Sequence, residues 1–80
     1  MVLSKKDWEL VMDYLLFEEV DRAISVMSKA KGKLKGKEPE RMMIGKVLMR
    51  IQNYEITNNK KYLDDAVKVI QLYIKKTYKC

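Results

Sequence analysis

Covalent catalysis needs an activated nucleophile, and the hydroxyls of this chain have nothing to activate them. Ser25, Ser28 and Thr57 lack a histidine base, because the sequence contains no histidine. Cys80 is the sole cysteine, and at the end of the sequence nothing is expected to fix its geometry. One thiol without histidine excludes both an intrachain disulfide and a Cys/His metal cage. Carboxylates do come in pairs, Glu18 with Glu19 and Asp64 with Asp65. Adjacent residues on a helix point in different directions, so neither pair shares a site. A carboxylate-only metal site from Glu18, Glu19 and Asp21 matches no known loop spacing. Gly32 and Gly36 are not followed by the lysine-serine pattern of a phosphate-binding loop. The expectation is a protein that is not an enzyme, with no catalytic residue, no metal and no cofactor.

What the sequence offers instead is surface. Lys29–Lys37 alternates five lysines with small or apolar residues and contains no acid. Lys31, Lys33, Lys35 and Lys37 from this run are joined as candidates by Lys46 and Arg50, one helical turn apart. These six form the candidate contact set for nucleic acid or for an acidic partner, and Lys60, Lys61, Lys68, Lys75 and Lys76 extend it. Phosphate contacts of this kind give salt-dependent affinity. Base readout has no support, since neither a recognition-helix pattern nor an exposed aromatic platform can be placed. The charge is also uneven: residues 1–28 hold three bases and six acids, net −3, and the rest is basic, for +6 overall. Such asymmetry orients partners or steers polyanions, and it also keeps a small protein soluble.

The second surface is apolar. Six methionines in 80 residues is a high share. Met12, Met27 and Met49 suit irregular core gaps, while Met42 and Met43 lie side by side at a helix start. Methionine serves both cores and adaptable binding faces. Trp8, Tyr14, Met42, Met43 and Leu72 are the candidate protein-interface residues, although aromatic residues such as Trp8, Tyr14 and Phe17 more often fill cores.

These side chains need helices to position them. Low Gly and Pro content with many Lys, Glu, Leu, Ile and Met favours helix. Ser4 and Asp7 form a capping box ahead of Trp8, Val11, Met12, Leu15 and Leu16 at helical spacing. Residues 5–31 carry neither Gly nor Pro, so one long helix competes with a hairpin that breaks near Phe17-Glu18-Glu19. An internal similarity favours the break: residues 20–27 align with residues 63–70 at an offset of 43. The second copy follows the turn signal Asn58-Asn59, so the first copy should also begin a helix near Val20. Gly32 and Gly36 are then expected to stop that helix and leave a mobile basic loop at 29–38. Glu38-Pro39-Glu40 opens the next helix, with Pro39 in its first turn and both acids at its positive end. That helix runs to about Ile56, and Gly45 inside it marks a place where another helix could approach closely. The last helix spans about Lys60 to Tyr78, with Leu63, Ala66, Val67, Ile70, Tyr73 and Ile74 in its main stripe. Val69 and Leu72 widen that stripe.

The expected architecture is one all-α domain over residues 1–80, four helices as two antiparallel hairpins. The alternative is a three-helix bundle with a long first helix. The first hairpin resembles a tetratricopeptide-type repeat through Leu10, Val11, Tyr14, Val20, Ala23, Met27 and Ala30, about 25 residues. It departs from that pattern at Val11, where a small residue is usual. The second hairpin matches only at Leu63, Ala66 and Ile70. The resemblance implies stacked helical hairpins and protein binding.

Two functional expectations follow. The first is an adaptor or accessory subunit that binds a larger protein, one whose work with nucleic acid the basic surface would suit. The second is a direct, non-specific nucleic-acid binder. Self-association as a homodimer fits the apolar surplus too. No apolar run is long enough for a membrane span, and Met1–Lys6 lacks the order of a signal peptide, so a cytoplasmic protein is expected.

Overall fold

The structure, a computed structural model, describes residues 3–36 and 38–78. Among them are four α-helices and no strand: α1 (Lys5–Leu16), α2 (Val20–Lys33), α3 (Pro39–Thr57) and α4 (Lys61–Thr77). None is long and apolar enough to cross a membrane. The single long first helix is thereby ruled out, because α1 ends at Leu16 and α2 begins at Val20.

The start of α1 follows its local chemistry. Ser4 Oγ accepts from the Asp7 N–H at 3.1 Å, and the Asp7 carboxylate accepts from the Ser4 N–H at 3.0 Å. Two backbone donors that the first turn would leave open are thus paired. The end of α1 is less obvious. Glu18 adopts φ 59°, a left-handed conformation at a residue that is neither Gly nor Asn. This costs about 1–2 kcal/mol in an L-residue. The Glu18 carboxylate is held from across the fold: Tyr54 Oη donates to Oε1 at 2.9 Å, and Lys60 Nζ lies 3.2 Å from Oε2. The α1–α2 turn is therefore tied to the α3–α4 turn.

α2 corrects the expected loop. The helix passes through Gly32 to Lys33, so Lys29, Lys31 and Lys33 are helical. One glycine weakens a helix by only about 1 kcal/mol. The buried side chains of Ala30 and Leu34, on either side of Gly32, hold this segment against the core. Gly36, at φ +67°, is the residue that makes the left-handed turn. Leu34, Lys35 and Glu38 of the linker that follows are held by specific contacts. Leu34 is buried, Arg41 Nη1 donates to its carbonyl at 2.9 Å, and the Lys35 N–H donates to Glu38 Oε2 at 3.1 Å. Pro39 opens α3 in its first turn, where its missing N–H is harmless. Asn58, at φ 57°, closes α3.

Packing closes the four helices into a ring. α1 neighbours α2 and α4, and α3 neighbours α2 and α4, with the α3–α4 pair the most extensive; α1 and α3 lie across the ring from each other. Contacts between successive helices are consistent with two hairpins. The first helix also packs on the last, which closes the apolar interior. Trp8, Leu15, Met27, Ile44, Ile51 and Ile70 are its largest fully buried side chains. The 43-residue similarity is realised here: Ala23 and Ala66 are fully buried, as are Met27 and Ile70. The small pair lets helices approach, and the large pair fills the space between them. Gly45 does not mark a close approach within the chain, since a Cβ placed there would meet nothing within 4 Å.

Candidate protein-docking groove

The five apolar interface candidates separate on burial. Trp8 is fully buried and makes an edge-type contact with Tyr73, with ring centroids 5.4 Å apart and planes at 60°. It shares the inward stripe of α1 with Val11 and Leu15, so its expected place at an interface is corrected to the core. Met43, at 7% exposure, is corrected in the same way, because it lies on the inward side of α3 with Ile44 and Val47. Tyr14 is half-buried against the rim of the core. Met42 and Leu72 face solvent, at 54% and 68% exposure.

The basic candidates also separate. Residues two apart on a helix do not face one another. Lys31 is therefore half-buried on one flank of α2 while Lys33 is exposed on another. Lys35 follows the helix and is exposed, and Lys37 lies outside the described residues. Lys29 and Lys33, four residues apart, share one side of α2 and Lys31 does not, so the helical part of the run is split between two sides. Lys60 is drawn away to Glu18.

A trough along the seam of α3 and α4 gathers residues from both sets. Its middle is a concavity of about 570 Å³ bordered by Met42, Met43, Lys46, Tyr73 and Lys76. Tyr73, Lys46 and Lys76 continue into a space of about 430 Å³ that adds Arg50, Val69 and Leu72. Toward the start of α3 the trough opens into about 530 Å³ beneath Lys33, Leu34 and Glu38. Beyond Arg50 it runs into about 220 Å³ beside Met49, Asn53, Tyr62 and Asp65. The floor is apolar: the edge of Met43, the half-buried Val69 and the ring of Tyr73. The rim is cationic, with Lys33, Lys46, Arg50 and Lys76. Its acids lie toward the two ends, Glu38 and the buried Glu40 at the start of α3 and Asp65 at the other end.

Local chemistry fixes parts of this trough. Arg50 Nη1 donates to the Lys46 carbonyl one turn earlier, at 3.1 Å, so two cations share one stretch of α3. Burial pushes the Tyr73 phenol above its usual range, and the charge of Glu40 pushes it the same way. Glu40 itself is buried in the first turn of α3, at 5% exposure. Tyr78 is raised by the same two causes, burial first, and its hydroxyl donates to the Leu3 carbonyl at 3.0 Å. Both phenols stay neutral across the physiological range.

Residues that look separate in the sequence are joined by the fold. Met42, Met43 and Leu72 were expected on a protein face, and Lys33, Lys46 and Arg50 on an anion face. The structure places all six along one trough. Tyr73 and Val69 complete it, and the sequence signal for them was the apolar stripe of α4, which Val69 and Leu72 widen beyond one face. Among the described residues, no group of three or more acids or thiols could hold a metal ion. Compared with protein-family models, curated proteins and solved structures, the chain matches none of them.

Proposed function

We propose that this protein is a non-catalytic helical adaptor that docks an acidic, amphipathic segment of a larger protein in the α3–α4 trough. The observation that carries the reading is the convergence of a half-buried apolar floor, the exposed Met42 and Leu72 beside it, and a cationic rim on one elongated seam. An amphipathic helix laid in such a groove buries its apolar face on Met42, Tyr73 and Leu72. Its flanking acids meet Lys46, Arg50 and Lys76. Rim charges of this kind set the partner and speed the encounter, while buried apolar contacts hold it. Methionines at the mouth adapt to a partner's shape.

A protein ligand accounts for the apolar floor, which a phosphate backbone would leave uncovered. The dispersal of the lysine run around α2 also withholds the single basic stripe expected of a nucleic-acid binder. The test uses three fluorescent probes at low and physiological salt. They are an 18-residue amphipathic peptide with leucine and glutamate faces, its lysine counterpart, and single- and double-stranded DNA. The account expects binding of the glutamate peptide at both salts, and none of the lysine peptide. Tighter binding of either DNA than of the glutamate peptide at physiological salt contradicts it.

A further inference from the structure

The chain carries on its own surface a segment with the chemistry the trough selects. The outer side of α1 exposes Leu10 at 43%, Leu16 at 60% and, at its end, Phe17 at 76%. Glu9 and Asp13 are exposed among them, with Lys6 the one base on that side. At about 100° per residue, these six positions share the side of α1 opposite Trp8, Val11 and Leu15. This is an acidic helix face with exposed apolar residues, about 18 Å long. α1 packs on α4 through its buried stripe, so this opposite face points away from the trough of its own molecule.

We infer that the α1 face of one copy docks in the α3–α4 trough of another, so that the protein assembles head-to-tail. The inference rests on the reading of the trough as a site for acidic amphipathic helices. Glu9 and Asp13 of one copy meet Lys46, Arg50 and Lys76 of the next. Leu10, Leu16 and Phe17 cover Met42 and Leu72. The two surfaces are different patches, so the contact is heterologous and leaves a free face and a free trough at the ends of each assembly. One helix face is small beside the roughly 800 Å² per partner of a standard interface, so the association is weak and concentration-dependent. Self-assembly then holds the trough closed until a stronger acidic segment displaces α1.

Two charge-reversed variants test this. One carries Glu9→Lys and Asp13→Lys; the other carries Lys46→Glu and Lys76→Glu. All four residues are exposed, so both variants are expected to fold, as helix content by circular dichroism verifies. Sedimentation equilibrium should show the wild-type mass rising past the monomer between about 10 μM and 1 mM. It should return to the monomer in 1 M salt, where the Debye length is about 3 Å. Each variant alone should stay monomeric, since its face and its trough then repel, and the equimolar mixture should associate. A monomeric wild type at 1 mM overturns the inference, as does self-association of either variant alone or a mixture that stays monomeric. Binding of the glutamate peptide by a wild type that stays monomeric would leave the trough reading standing and remove only the self-assembly.

Discussion

Glu18 shows how one side chain stabilises a turn that its backbone disfavours. Its carboxyl is held below the ordinary 4.5, first by the Tyr54 hydroxyl and then by Lys60. A depressed folded-state value means that ionised Glu18 favours the fold. That contribution is present above the unfolded value and is lost as pH falls through the folded one. Tyr54 moves the opposite way, raised above 10.0 first by its hydrogen bond to Glu18. Its contribution is present below the unfolded value and is lost as pH rises through the folded one. Glu18→Gln should therefore lower the urea midpoint at pH 7, and the gap to wild type should close on acidification below the usual carboxylate range. A gap independent of pH would show that the contact is not ionic. At the centre of the core, Trp8→Ala should cost about 3–5 kcal/mol by urea denaturation, the usual loss for a large buried aromatic. A loss under 1 kcal/mol would mean that Trp8 is not the keystone its full burial implies.

At the scale of elements, two glycines in one lysine run behave differently. Gly32 lies inside α2 with open space where a Cβ would go, and Gly36 sits at φ +67°. Gly32→Ala should stabilise the protein by up to about 1 kcal/mol. Gly36→Ala should destabilise it by about 1–2 kcal/mol, because alanine disfavours the left-handed region. Thermal melts of both variants check the helix boundary, and equal shifts would contradict it. The sequence was legible here wherever signals were local or repeated. The Ser4–Asp7 cap, Pro39 and Asn58 announced three helix ends, and the 43-residue offset located the break before Val20 that no glycine or proline marks. The end of α2 was misread because each glycine looks like a stop, while the buried Ala30 and Leu34 that carry the helix past Gly32 act through tertiary contact. The left-handed Glu18 was hidden for the same reason, since its supports lie 36 and 42 residues away in the chain.

For the molecule as a whole, composition revealed two kinds of surface but not that they coincide. Whether Met42 and Lys46 share a seam with Leu72 and Lys76 depends on how α3 meets α4, and no single helix encodes that. Trp8 and Met43 carry no sequence mark that separates them from exposed apolar residues such as Leu10 and Met42; the ring of four helices fixes which stripe faces inward. The ring also separates the acidic outer face of α1 from the basic trough, so the uneven charge of the sequence becomes two complementary surfaces on one small body. This division makes the trough the centre of the functional account.

Amide chemical-shift mapping during titration with the glutamate-faced peptide tests that account most directly. Shifts should concentrate on Met42, Met43, Lys46, Arg50, Leu72 and Tyr73, and Lys46→Glu with Lys76→Glu should abolish them while the spectrum stays folded. Shifts scattered over the lysines of α2, or a response unchanged by the double variant, would contradict it.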